Sequence, residues 1–214
     1  MNTPDFNKLR QEYTKLGILE SDILENPFDF FKKWIEEAIT LGVKEANAVQ
    51  LSTVDKNCMP SSRMVLLKEL TEKGFVFYTN YKSRKATHIS SNPHVALTFF
   101  WKELERQVRI EGIAEKVSKE ESDAYFNSRP YESKISAVIS QQSQVIPNRE
   151  YIIEKWEKYK ASYTDKEINR LDNWGGYIVI PSHFEFWQGR ANRLHDRFRF
   201  LLIKKEWKIE RLAP

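Results

Sequence analysis

Cysteine occurs once in the 214 residues, at Cys58, so an internal disulfide is excluded and a cysteine-ligated metal site has no basis. No apolar run approaches the roughly 20 residues of a membrane-spanning helix. Lys8, Arg10, Glu12 and Lys15 interrupt the N-terminal stretch too often for a secretion signal. A cytoplasmic, reducing setting with no membrane partner is the expectation. The usual nucleotide loops are missing, since neither a Walker A pattern nor G-x-G-x-x-G after a strand occurs. No His/Asp/Glu spacing suggests a metal, and no serine sits in a nucleophile elbow. Repeats, low-complexity tracts and linkers are also absent, which predicts one domain over residues 1–214.

What is present supports a real core: 41% of residues are hydrophobic and 13% aromatic. Lys and Arg exceed Asp and Glu by 34 − 30 = +4, with a pI near 9.0. That excess is spread along the chain with no basic arm, so it points to anionic partners, with phosphate-bearing small molecules as good a fit as nucleic acid.

The stretch from Arg63 to Lys85 organises the rest. Residues 61–68 (SSRMVLLK) and 75–80 (FVFYTN) have strand composition, with a turn cluster at Thr71-Glu72-Lys73-Gly74 between them. Alternation puts Arg63, Val65 and Leu67 on one face and Met64, Leu66 and Lys68 on the other, so Arg63 and Lys68 are expected to serve different partners unless a bulge re-aims one of them. Ser83-Arg84-Lys85 then opens a helix, where backbone N–H groups and two cations suit a phosphate.

Elsewhere Asn26-Pro27 starts a helix with Phe28, Phe31, Trp34, Ile35 and Ala38 on one face and a stop at Gly42. AVQLSTVD from Ala48, HVALTFFW (94–101) and a run at 105–118 bending at Gly112 read as strands. Ser118 to Glu121 forms a capping box, Pro130 separates that helix from a second, and Asn148 caps a third carrying Ile152, Trp156 and Tyr159. Gly175-Gly176 is expected to divide this helical block from strands at 176–188 and 193–211. Successive strands with short turns favour an antiparallel barrel or strongly curled sheet.

Three groups of residues are candidates for chemistry. The first is Arg63, Lys68, Tyr78, Thr79, Arg84 and Lys85. The second is Tyr125, Arg129 and Ser133, whose four-residue spacing across a helix junction suits a phosphate monoester. The third is Arg193-Leu194-His195-Asp196-Arg197. Read as a strand, it puts Arg193, His195 and Arg197 on one face, a clustering that calls for an anion or an electron-rich ring. Trp187-Gln188, Gln107 and Gln142-Ser143 add a flat surface and uncharged hydrogen-bonding groups suited to a polar heterocycle.

These residues fall in motifs that resemble pyridoxine (pyridoxamine) 5′-phosphate oxidases: RMVLLK (63–68), FYTN (77–80), SRK (83–85), LERQV (104–108), YFNSRPYESKI (125–135), QQS (141–143), FEFWQG (184–189), RLHDRF (193–198) and a closing KIERLAP. The resemblance runs from about Arg10 to Pro214. It implies an α+β antiparallel split β-barrel and a homodimer holding FMN in clefts between subunits. By motif, Arg63, Met64, Val65, Leu66, Leu67, Lys68, Tyr78, Thr79, Arg84 and Lys85 would hold FMN from one side. Gln107, Gln142, Ser143, Trp187 and Arg197 would complete that site. Lys68, Tyr125, Arg129 and Ser133 would take the substrate phosphate, with Arg193, Leu194 and His195 at the pyridine ring and Arg193 and His195 as the catalytic pair. Arg10, Gln11, Glu12 and Tyr13 resemble the family's lid, within a mobile segment 1–20. The chain departs from the family at Ser136 and Val138, where a glycine and a tryptophan are usual.

The implied reaction oxidises pyridoxine or pyridoxamine 5′-phosphate to pyridoxal 5′-phosphate, with molecular oxygen reduced to hydrogen peroxide. The other readings are a split-barrel flavoprotein with a different phosphorylated substrate, and a basic β-barrel for single-stranded nucleic acid. The second requires exposed aromatics interleaved with cations, whereas most aromatics here fall at core positions.

Overall fold

The computed structural model describes residue 5 and residues 12–15, 17–164 and 168–214. Along the chain α1 (Pro27–Thr40) is followed by β1 (Ala48–Val54), β2 (Pro60–Leu66), β3 (Glu69–Leu70) and β4 (Phe75–Asn80), then by α2 (Arg84–Ser91). Next come β5 (His94–Trp101), β6 (Arg106–Lys116), α3 (Lys119–Ser128), α4 (Tyr131–Ile139) and α5 (Arg149–Ser162). The chain closes with β7 (Trp174–Gln188), β8 (Asp196–Ile203) and β9 (Glu206–Leu212). The strands pair in the order β2-β1-β5-β6-β7-β4-β3, with β8 on β7 and β9 on β8. Packing divides the chain into two compact units. The first comprises residues 1–49, 97–111 and 182–214, and the second residues 50–96 and 112–181.

In the first unit the core forms around α1. Asn26 caps the helix by accepting the Phe28 N–H at 2.9 Å, and Pro27 occupies a position where a missing N–H costs nothing. Gly42, at φ +74°, follows the helix end in a conformation that glycine adopts without strain. The buried face is Pro27, Phe30, Phe31, Trp34 and Ala38, while Phe28 and Ile35 are only half-buried. Phe30 is the correction: it sits 4.4 Å from Phe186 and 5.2 Å from Trp34, because the helix meets a strand offering two aromatic rings. Strand β8 pairs antiparallel with β7, placing Trp187 opposite Arg197, and β9 pairs with β8.

The segment 193–211 is not one strand. Residues 191–193 form a 3₁₀ turn in which Asn192 and Arg193 have positive φ, and Leu194 and His195 precede the strand. Lys204 and Lys205, also at positive φ, turn β8 into β9. Gly175 and Gly176 lie inside β7 rather than ahead of it, opposite Thr79 and Tyr78.

In the second unit β4 pairs with β7 over all six of its residues, Phe75 to Asn80. Strand β2 ends at Leu66, two residues earlier than composition suggests, and Leu67 turns into the core at 8% exposure. The Ser118 capping box forms as expected, with reciprocal bonds of 3.0 and 2.8 Å to Glu121. A second core of Phe126, Ile135, Ile168 and Trp174 gathers α3, α4 and α5, and takes Trp156 and Tyr159 on its flank. Val138 also packs there, and Ser136 bonds back to the Glu132 carbonyl, so both departures from the family's residues are accommodated within α4.

Candidate functional site

A cleft of about 630 Å³ opens in the second unit. Arg63 to Leu66 and Lys68 form one wall, Tyr78, Thr79 and Asn80 of β4 another, and Lys85 enters from α2. The α3–α4 junction supplies Tyr125, Arg129, Pro130 and Ser133, with Ser136, Ala137, Ser140, Gln142 and Trp174 completing the lining. Arg63 and Lys68 therefore share one cleft, contrary to the alternation expected of a strand running to residue 68. The period of two stops where β2 stops, so it does not reach Lys68. Leu67 is absent from the lining because its side chain is in the core.

Two groups of cations give the cleft its character. Lys85 is 9% exposed, and its ammonium donates to Thr79 Oγ1 at 3.1 Å, Gln142 Oε1 at 2.9 Å and Ser83 Oγ at 3.5 Å, all neutral acceptors. Burial, and secondarily the charge of Arg63, lowers its pKa to about 8. Burial also lowers the Arg63 pKa, with Arg84 adding to the effect. Arg84 is exposed and outside the lining, but its backbone N–H donates to Ser143 Oγ at 3.2 Å. Arg84 and Lys85 both occupy the first turn of α2, which holds no acidic residue, so the helix dipole opposes them. Each of these costs is relieved by an anion at the helix start.

At the second group, the Arg129 guanidinium lies 4.7 Å from the centre of the Trp174 ring. Its Nη1 is buried without a hydrogen-bond partner among the described residues, and burial lowers its pKa. Trp174 is parallel to Tyr125 and Tyr78, which stack on each other at 3.7 Å. Burial, then the charge of Glu69, pushes the Tyr78 hydroxyl up to about 12, so it remains a neutral donor. No carboxylate lies within ion-pair distance of Arg63, Arg84, Lys85 or Arg129 among the described residues. Anionic groups of a ligand would meet cations that the fold has not neutralised. A phosphate-bearing cofactor fits this donor set. Trp174 was missed in the sequence, where it reads as an ordinary aromatic ahead of a glycine pair.

Gln107, Trp187, Arg193, Leu194, His195 and Arg197 belong to the first unit. There the His195 ring is 4.8 Å from Trp187, and Tyr13 meets both rings edge-on at 5.5 Å. Gly189 permits this, since a Cβ would come within 2.7 Å of the Tyr13 ring. His195 Nδ1 accepts the Arg190 N–H at 3.1 Å, which leaves Nε2 to carry the proton of the neutral ring. Burial, then the Arg193 charge, lowers its pKa. Arg197 donates to the buried carboxylate of Glu185 at 3.0 Å and to the Ala213 carbonyl at 2.8 Å. Glu185 and Ala213 were not anticipated as its supports. Arg193 is exposed and Leu194 is 67% exposed, so the one-face arrangement of Arg193, His195 and Arg197 is not a strand pattern. Of the four residues expected to form a lid, Glu12 is exposed and Tyr13 half-buried, while Arg10 and Gln11 lie outside the described residues.

No group of three or more metal-ligating side chains occurs among the described residues, and no helix there is long and apolar enough to cross a membrane. Residues 35–162 match the family described as pyridoxamine 5′-phosphate oxidase, and residues 174–214 match the pyridoxine 5′-phosphate oxidase C-terminal dimerisation region. The chain is 52% identical over 207 residues to a pyridoxine/pyridoxamine 5′-phosphate oxidase of Bacteroides thetaiotaomicron, covering 96% of this chain and 97% of that protein. It is 50% identical over 210 residues to the Haemophilus influenzae protein of the same name, covering 98% and 100%. The fold is the α+β antiparallel split barrel, shared at a TM-score of 0.86 with the PhzG protein of Burkholderia lata, which was solved with tetrahydrophenazine-1-carboxylic acid. That match has 26% identity and covers 91% of this chain and 95% of PhzG. With motifs, family matches and near-full-length relatives in agreement, the chain belongs to the pyridoxine/pyridoxamine 5′-phosphate oxidase family.

Proposed function

We propose that the protein oxidises pyridoxine 5′-phosphate or pyridoxamine 5′-phosphate to pyridoxal 5′-phosphate, using FMN and molecular oxygen, as a homodimer. The observation that carries this reading is one cleft lined by two cationic groups without carboxylate partners among the described residues, Arg63 with Lys85 and Arg129 beside Ser133. Two phosphate-bearing ligands would use both groups, whereas a substrate lacking phosphate would leave the buried Arg129 Nη1 unpaired.

Arg63, Lys85 and the start of α2 bind the cofactor phosphate in this reading, with Thr79 and Gln142 orienting the Lys85 ammonium. Met64, Val65, Leu66, Lys68 and Tyr78 line its flank, and Gln107, Ser143, Trp187 and Arg197 are assigned to it by family resemblance. Arg129, Ser133, Tyr125 and Lys68 fix the substrate phosphate and hence its register. FMN, when bound, supplies the hydride acceptance from the substrate carbon and the return of both electrons to oxygen. An alcohol substrate and O₂ give aldehyde and H₂O₂; the amine also consumes water and releases ammonia. Arg193 presents a planar cation to the pyridine ring, and His195 offers Nε2 to its hydroxyl because Nδ1 is already held. The lid residues Glu12 and Tyr13 exclude water above the ring.

The test is a flavin-replete preparation supplied separately with each phosphorylated substrate and oxygen, following aldehyde and peroxide. Equimolar aldehyde and peroxide from at least one of them is expected. No aldehyde from either would overturn the assignment, and a colourless protein that fails to take up FMN would overturn the cofactor.

A further inference from the structure

Behind the cleft wall, Arg63 is held by a set of acceptors that carry no charge. Its Nη1 donates to the Leu51 carbonyl at 3.1 Å and to Thr53 Oγ1 at 2.8 Å, while Nη2 donates to Ser61 Oγ at 2.9 Å. Thr53 is fully buried, at a β1 position in register with the buried apolar residues Val49 and Leu51. Valine would fill that space without a polar atom, so packing alone gives no reason for a hydroxyl there. The hydroxyl has one proton to give and has already accepted from Arg63. It reaches two further partners, the Ser61 carbonyl at 3.4 Å, to which it donates, and Nδ1 of His88 at 3.2 Å, where the ring's tautomer sets which way the bond runs. His88 is 6% exposed and belongs to α2, the helix that carries Lys85 in its first turn.

We propose that Thr53 and Ser61 are positioning residues that aim the Arg63 guanidinium into the cleft, with His88 fixing the Thr53 hydroxyl. A carboxylate in their place would aim the guanidinium equally well but would neutralise it. Two hydroxyls and a carbonyl restrict its direction and leave its whole charge for the anion. Since His88 lies one helical turn beyond Lys85, the same chain of bonds ties the direction of Arg63 to the helix that presents Lys85. This rests on the reading that Arg63 contacts the phosphate of FMN.

The test is a titration of apoprotein with FMN, read by flavin fluorescence, through a double-mutant cycle of Thr53→Val and Arg63→Ala. Thr53→Val is expected to weaken FMN binding about tenfold, Thr53→Ser to stay within twofold, and Thr53→Val to have no further effect once Arg63 is alanine. Ser61→Ala, at a half-buried site that does not threaten folding, is expected to lose several-fold and to lose nothing further in the Arg63→Ala background. Substrate KM of the flavin-saturated variants should match the parent. An equal loss with or without Arg63 means that the hydroxyls act on the fold, and overturns the proposal. So does unchanged affinity in both Thr53→Val and Ser61→Ala when Arg63→Ala alone is weak. Unchanged affinity in Arg63→Ala overturns the cofactor role of Arg63 itself, and the positioning role with it.

Discussion

Arg129 and Lys85 are desolvated cations with no countercharge among the described residues, and they differ in what they should do. Arg129→Ala removes a charged hydrogen bond worth about 1.5–3 kcal/mol, so KM for either phosphorylated substrate should rise by roughly one to two decades while FMN stays bound. Steady-state kinetics with a flavin count checks this, and loss of flavin at unchanged KM would mean that the two phosphate sites are interchanged. Lys85 makes a pH-dependent prediction. In the apoprotein its pKa is lowered to about 8, whereas a bound phosphate favours the charged form. Above pH 8 binding must therefore take up a proton, and FMN affinity should fall as pH rises from 7 to 9.5. The same lowering means that burial of charged Lys85 costs apoprotein stability below about pH 8, a cost that fades as pH rises towards 10.5. FMN titrations across that range should slope for the parent and flatten for Lys85→Met; parallel curves would remove Lys85 from the phosphate. Residue types alone brought both cations into the candidate site. The sequence hid how they are held, because Trp174 reaches Arg129 and Gln142 reaches Lys85 from distant parts of the chain.

Elements were legible where local chemistry decides them. Helices α1, α3 and α5 begin at their capping residues Asn26, Ser118 and Asn148 because each side chain satisfies a backbone N–H within three residues. Ser118→Ala should accordingly cost about 1 kcal/mol in chemical denaturation, with a range of roughly 0.5–2. Because α3 carries Tyr125 and ends at Arg129, frayed α3 should raise substrate KM more than it lowers FMN affinity. Equal stability of parent and variant would show that packing of Phe126 holds the helix start without the cap. Elements were illegible where backbone geometry overrides composition. Residues 193–197 look like an alternating strand, yet Asn192 and Arg193 adopt positive φ and the strand starts only at Asp196. Leu194 consequently lies in solvent, and Leu194→Ala should change stability by no more than about 0.5 kcal/mol, the scale of an ordinary surface substitution. Gly175 and Gly176 read as a divide between the helical block and the last strands, but both sit in β7 where it passes tightly against Tyr81 and Tyr78.

At the scale of the whole molecule, the C-terminal match to a dimerisation region covers β7, β8 and β9, and the last two expose Leu202, Ile203 and Ile209. In the proposed homodimer, FMN sites are completed only when two copies associate, so cofactor binding and association must be linked. A ligand that binds the dimer and not the monomer stabilises it by RT ln(1 + [L]/Kd) per site, about 2.7 kcal/mol at a hundredfold excess over Kd. With two sites per dimer, saturating FMN should tighten association by several orders of magnitude. Sedimentation velocity on a dilution series distinguishes the 25.4 kDa chain from a species of twice that mass, with and without FMN. Dissociation of the apoprotein at concentrations where the holoprotein remains dimeric is expected. The reciprocal measurement should agree, with FMN released more readily as total protein is diluted. An association constant indifferent to FMN would place each cofactor wholly within one chain. In that event Gln107, Trp187 and Arg197 would serve the cofactor of their own chain or none.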